Sequence, residues 1–232
     1  MMITDGLTPL GLLLFLALVG GSLLAGLTIV GTLALRKRKL AKLLVLSLLG
    51  GWAAYGLLLV TASVTSTDRV LGMDEEKHIC EIDCHTAYAV IKIRTSRTIG
   101  TGSAQRTAQG IFYVVTLRVR FDSLTISSHR GMAPLSPGGR DIAIVDRRGH
   151  TYVSSPEGQQ TLESAQGKRT PLTRSLVPGE SYATDLVFDI PPDAADLRLQ
   201  LTAATGLPDR LIIGYENSLF HKKTTFRLTA DD

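Results

Sequence analysis

Two long stretches of this chain carry no charge at all: residues 7–35 and residues 43–67 contain no Asp, Glu, Lys, Arg or His. Each exceeds the roughly 20 apolar residues that cross about 30 Å of hydrocarbon as a helix. Between them stand Arg36, Lys37, Arg38, Lys39 and Lys42. Lys and Arg in short loops stay on the cytoplasmic side, so this turn predicts a two-pass hairpin in an inner or plasma membrane, with both outer ends outside the cytoplasm. A cleaved secretory signal has its positive charge ahead of the apolar run. Here Asp5 precedes the run and the basic cluster follows it, which predicts a retained anchor.

The formal charge of +4 has the same origin. Residues 1–65 hold the five basic residues of the turn against one acid, Asp5, which leaves 20 of the 25 basic and 20 of the 21 acidic residues for the remainder. A neutral remainder offers no phosphate-binding face, so nucleic acid is not an expected partner. The organisation expected is a transmembrane hairpin over 1–67 (first span about 8–35, cytoplasmic loop 36–42, second span about 43–65), a polar connector over 68–79, and an extracytoplasmic domain over 80–232.

Small residues recur at a spacing of four in both spans: Gly21 with Ala25, Ser22 with Gly26, and Gly50 with Ala54. That spacing lets helix backbones approach closely, and the simplest expectation is that the two helices pack on each other through these faces. Neither span holds an ionisable residue, which argues against a pump or channel. Trp52 and Tyr55 fall well inside the second span and read as packing residues.

Beyond the connector, apolar residues alternate with polar ones, the signature of half-buried strands. Ala87, Ala89, Ile91 and Ile93 are expected on one face of a first strand. Over residues 112–121, Tyr113, Val115, Leu117, Val119 and Phe121 point one way and Thr116, Arg118 and Arg120 the other. Further strands are predicted over 141–146, 151–154, 181–190, 196–202, 211–215 and 224–229, with a flexible loop over 100–110. Turn residues such as Ser136-Pro137-Gly138-Gly139 and Pro178-Gly179 separate them. One helix is expected, capped by Ser155, with Pro156 in its first turn, running through Leu162 and stopping near Gly167. Many short strands divided by such turns indicate an all-β antiparallel sandwich.

The segments Val177-Pro178-Gly179-Glu180-Ser181, Val187-Phe188-Asp189-Ile190-Pro191-Pro192-Asp193 and Leu197-Arg198-Leu199 resemble the late strands of a family of bacterial exported immunoglobulin-like domains of unknown function, similar to mycobacterial secreted immunoprotective antigens. Phe112 to Arg120, and Ile144-Val145-Asp146 through Gly149 to Tyr152, fit the same pattern. The resemblance covers roughly residues 85–202. It implies an extracytoplasmic immunoglobulin-like sandwich, often membrane-tethered, without a known catalytic apparatus.

Chemistry is hinted at in one place. His78, Cys80, Cys84 and His85 lie within eight residues, and the two cysteines are the only ones in the chain. In an oxidising compartment a lone pair reads first as a disulfide. A Cys80–Cys84 bond needs Cα atoms about 4.4–6.8 Å apart, whereas four strand residues span about 13 Å, so the chain must turn there and the regular strand must begin afterwards. The first alternative is a metal, because thiolate and imidazole together suit copper or zinc. A two-helix hairpin before an external β-sandwich resembles subunit two of haem-copper oxidases, whose copper site uses a Cys-x3-Cys pair. That family has a histidine four residues after the second cysteine, where this chain has Tyr88. The second alternative is covalent haem, since Cys80 to His85 is a one-residue-longer variant of the Cys-x2-Cys-His attachment motif. Glu81 and Asp83 read as solvated, as do the isolated His129, His150 and His221 and the run His221-Lys222-Lys223.

No zinc-protease, nucleophile-elbow or phosphate-loop motif is present. The expected function is therefore a non-catalytic, membrane-anchored interaction or structural module of the cell envelope, not an enzyme and without a cofactor. Its expected partners are the lipid bilayer and another envelope protein. The alternative is a redox or copper-handling protein built on His78, Cys80, Cys84 and His85.

Overall fold

The computed structural model describes residues 8–79, 86–125, 129, 131–204, 206 and 208–229. They form two compact units, Met1–Asp68 with Thr205–Lys223, and Arg69–Ala204 with Thr224–Asp232.

In the first unit, α1 (Thr8–Ala34) and α2 (Arg38–Val64) are long and apolar enough to cross a membrane, by length and composition. Arg36 ends α1 in the left-handed conformation, φ 56°. Its N–H donates to Leu33 O and that of Lys37 to Thr32 O, the paired bonds of a Schellman end. Within the helices the hydroxyls of Ser22, Thr28 and Thr61 donate to carbonyls one turn back, at 2.6–2.8 Å, so these polar side chains leave nothing unpaired. The helices do pack together, but not through the expected glycine faces: a Cβ at Gly21, Gly26 or Gly50 would meet nothing within 4 Å. Most of the contact is made by larger groups, and of the expected small residues Ser22 takes part. Phe15 and Tyr55 stand 6.2 Å apart between ring centroids, and the Trp52 indole N–H donates to Ser22 Oγ at 3.1 Å.

The second unit holds β1 (Arg69–Leu71), β2 (Lys77–Ile79), β3 (Thr86–Ile99), β4 (Arg106–Phe121), β5 (Arg140–Val145), β6 (Thr151–Val153), α3 (Pro156–Gln166), β7 (Ser181–Ile190), β8 (Arg198–Ala203) and β9 (Thr224–Arg227). They build a β-sandwich of two sheets, ordered β1-β9-β8-β5-β6 and β2-β3-β4-β7. Phe121, Phe188, Val115 and Leu117 of one sheet and Ile144, Leu199, Leu201 and Phe226 of the other share the main core, each fully buried. Every pair is antiparallel except β1 with β9, which runs parallel, Arg69 opposite Thr224.

The strand over 112–121 faces inward as expected, with Val115, Leu117, Val119 and Phe121 completely buried. The first strand differs. Val90 pairs with Leu117 and Lys92 with Thr116, so Ile91 is an extra residue at a bulge and the inward face reads Tyr88, Val90, Ile93. The region taken as a loop, 100–110, is instead the tight end of a long hairpin, with Thr98 opposite Thr107 and Ile99 opposite Arg106. The segment taken as a connector contains β1 and β2. The strand expected over 211–215 is a 3₁₀ turn, Pro208–Leu211, followed by further turns.

Helix α3 forms as its sequence signals direct: Ser155 Oγ accepts from Gly158 N–H, Pro156 opens the helix and Gly167 ends it at φ 93°. It covers the edge of β7, which among the described residues pairs only with β4. Gln159 Oε1 accepts the Val187 N–H at 3.2 Å and the Ser155 N–H donates to Val187 O at 2.8 Å, so the edge backbone is satisfied there. Gly158 permits this approach, since a Cβ would come within 2.8 Å of Val187.

Between the sheets lies a lysine. Lys77 is buried, and its Nζ donates to Leu201 O at 2.7 Å and Thr224 O at 2.9 Å, both in the opposite sheet. An ammonium is tolerated there because carbonyl dipoles replace its water. Replacing Lys77 by Met keeps the side chain's length but removes its donors. Thermal unfolding in detergent micelles is expected to show a loss of about 1–3 kcal/mol, the cost of leaving buried carbonyls unpaired.

Candidate functional site

His78 is the one member of the expected His78, Cys80, Cys84 and His85 cluster among the described residues. Cys80, Cys84 and His85, with Glu81 and Asp83, lie outside them. On either side of them, β2 ends at Ile79, β3 begins at Thr86, and these two residues pair directly. Alternation along β2 sends Lys77 and Ile79 inward and His78 to the outer face of its sheet.

On that face His78 ends a chain of charges. Its Nε2 lies 3.0 Å from Asp122 Oδ2. The Arg120 guanidinium donates to Asp122 Oδ1 at 3.2 Å, and to both oxygens of Glu76 at 2.8 and 2.6 Å. Arg118 continues it, 3.6 Å from Glu76 and 2.8 Å from Asp74. The order Asp74, Arg118, Glu76, Arg120, Asp122, His78 alternates in sign, three carboxylates against two guanidiniums.

The strands explain how these groups meet. Asp74, Glu76 and His78 keep a period of two ahead of and along β2, and Arg118, Arg120 and Asp122 keep it along and beyond β4. β3 lies between them, and in register with His78, Arg120 and Arg118 it supplies only Ala87 and Ala89, each 1% exposed. Two methyl groups leave room for the long side chains to reach across. Asp122 also accepts the Leu124 N–H at 3.0 Å, which holds the carboxylate at the strand end.

The electrostatics follow. The Arg120 hydrogen bonds hold the Glu76 carboxyl below its ordinary range against an opposing effect of burial. Burial pushes the Asp122 carboxyl upward, but hydrogen bonds from the Leu124 N–H, His78 and Arg120 outweigh it and leave it lowered. Arg120 is held still more firmly protonated, chiefly by Glu76.

A second buried acid belongs to a turn. Asp146, its side chain 3% exposed, accepts from the backbone N–H groups of Arg148 and His150 at 2.9 Å and the Tyr152 hydroxyl at 3.1 Å, and its Oδ2 lies 3.0 Å from His150 Nδ1. Burial acts to raise its carboxyl, yet these donors bring it down to about 2. His150, expected to stand alone, thus helps to close the β5–β6 hairpin.

As chemistry, the Asp122 carboxylate can orient the His78 imidazole. Among the described residues no three His, Cys, Asp or Glu side chains gather as a metal would require. With Nε2 facing Asp122, Nδ1 is the ring nitrogen left to face a ligand. Asp122 and Glu76 were missed in the sequence, although the period-two strings Asp74-x-Glu76-x-His78 and Arg118-x-Arg120-x-Asp122 signal them.

No protein-family model matches the chain, and no curated protein matches it. Solved structures similar to it include a conserved hypothetical protein from Bacillus anthracis (16% identity, 56% of this chain and 89% of that one, TM-score 0.43). The yjhA protein from Bacillus subtilis is similar at 14% identity (69% of this chain, 100% of that one, TM-score 0.42). So is MPT63, a secreted protein from Mycobacterium tuberculosis, at 10% identity (71% of this chain, 100% of that one, TM-score 0.42).

Arg120→Ala removes the guanidinium shared by Glu76 and Asp122. At pH 7 the expected cost is roughly 1–2 kcal/mol, above that of an exposed ion pair because the bonds are bidentate and partly buried. Both carboxyls are lowered on folding, so their contribution is complete above the unfolded values of about 4 and disappears as pH falls through the folded ones. Thermal melts of the two proteins are therefore expected to converge between pH 4 and more acidic conditions. A gap that stayed constant across that range would show that Arg120 acts through packing alone.

Proposed function

We propose that the chain is a two-pass membrane anchor carrying an extracytoplasmic, non-catalytic, immunoglobulin-like interaction module of the cell envelope. One observation carries this reading: two helices of 27 residues, α1 without any charge and α2 with none beyond Lys42, expose leucines along their lengths, among them Leu13, Leu23, Leu27, Leu43, Leu49 and Leu57. Water would not leave such surfaces uncovered, whereas hydrocarbon suits them. The direction of the hairpin follows from Arg36, Lys37, Arg38, Lys39 and Lys42, which favour the cytoplasm. The sandwich unit would then face the envelope, where an equal count of acidic and basic residues after residue 65 suits a protein partner better than nucleic acid. In cells producing the full chain, it is expected to stay in the membrane pellet through an alkaline carbonate wash and to leave it only with detergent. Recovery in the carbonate supernatant would refute the anchor.

A second reading is favoured by the His78 and Asp122 pair. A carboxylate on one ring nitrogen is the arrangement that orients an imidazole whose other nitrogen binds a metal. With Cys80, Cys84 and His85 this would make a copper-handling or redox protein. In the favoured reading Cys80 and Cys84 form a structural disulfide and no cofactor is held. Thiol titration of the purified chain separates the two: no thiols before reduction and two after it, with no metal, supports the staple. Two thiols titrating with bound copper supports the second reading, and a haem-stained band would overturn both.

A further inference from the structure

We propose that residues 208–223 form a re-entrant cap that dips into the outer leaflet beside α1 and α2 and presents Leu219 and Phe220 to lipid. This rests on the membrane reading above and extends it to a segment far along the chain.

The segment packs on the apolar helices. Ile213 is buried with Tyr55 and Leu59, and Phe15, Leu18, Ala62 and Leu211 pack around them. The Tyr55 hydroxyl donates to Leu211 O at 2.6 Å. At Gly11 the approach is closest, since a Cβ there would come within 2.1 Å of Ile213 O. Leu59 and Tyr55 lie five and nine residues before Val64, the end of α2, or about 7 and 13 Å along the helix axis. These contacts lie at the end of the hairpin opposite the basic turn.

Hydrocarbon admits non-helical backbone only where its polar groups are paired. In this segment several of them are paired locally. Ile212 N–H donates to Asp209 O, Tyr215 N–H to Ile212 O, Ser218 N–H to Tyr215 O, and Leu219 N–H to Arg210 O. With Leu211 O taken by Tyr55, nested turns satisfy part of what a strand would have left to a neighbour.

At the tip, Phe220 is 72% and Leu219 42% exposed, Phe220 with φ 64°. The Lys222 N–H donates to Ser66 Oγ at 2.9 Å, so the chain after the tip is fixed at the level where α2 has just ended. Two bulky apolar side chains followed by Lys222 and Lys223 at that height match an outer leaflet, acyl chains first and anionic headgroups above. A folded partner protein covering the same tip is the competing occupant.

The test uses tryptophan quenching by brominated lipid in the full chain, reconstituted in phosphatidylcholine and phosphatidylglycerol vesicles. Trp52 is the chain's single tryptophan and reports on the spans. The double variant Trp52→Phe with Phe220→Trp reports on the tip, and Trp52→Phe with Leu219→Trp replaces it should the first not fold. The expected result is quenching of Trp52 by deep bromines, and for the tip indole a blue shift with loss of most emission to shallow bromines. Quenching of Trp52 with a tip indole that emits as in water and is not quenched overturns the cap while the anchor stands. An unquenched Trp52 overturns the anchor, and the cap with it.

Discussion

Hydrocarbon accepts no unpaired backbone amide, and a long uncharged helix is the simplest form in which a chain can satisfy that demand. α1 and α2 meet it along their helical backbones, and the hydroxyls of Ser22, Thr28 and Thr61 return to their own carbonyls. In the proposed cap the segment after Pro208 meets part of the same demand, with turns that pair the amides of Ile212, Tyr215, Ser218 and Leu219. In the proposed setting, the basic turn supplies direction and the apolar surfaces supply hold. The remaining unit is thereby free to be an ordinary polar-surfaced sandwich.

That sandwich is tied together by polarity as well as by its core. Lys77 bridges the sheets through carbonyls of Leu201 and Thr224. One residue on, His78 faces the other way and joins the charged layer over Ala87 and Ala89. Isolated surface ion pairs contribute about 0–1 kcal/mol, so the layer matters through its geometry: the bidentate Arg120 and Glu76 contact, and an Asp122 side chain only 9% exposed. β2 is three residues long and edges its sheet, and the two contacts made by Lys77 and His78 hold it in place from both sides.

Local signals in the sequence proved reliable where each was complete in itself. Ser155, Pro156 and Gly167 delimit α3, and alternation from Tyr113 to Phe121 identifies the inner face of β4. The bulge at Ile91 escaped because one inserted residue reverses the alternation without changing composition. Leu211, Ile212 and Ile213 read as a strand because three apolar residues in a row look alike whether they face a sheet or a helix pair. The charged layer was half legible: period-two strings put the right groups on one side, but pairing β2 and β4 across β3 requires the register. β1 and β2, three residues each, were too short for an apolar alternation to declare them.

The central claim is the direction of the hairpin, because the placement of everything after residue 67 follows from it. An epitope appended after Asp232 and protease added to spheroplasts, or to inverted membrane vesicles, tests it directly. The account predicts loss of the epitope in spheroplasts and protection in inverted vesicles. Protection in spheroplasts with loss in inverted vesicles would contradict it.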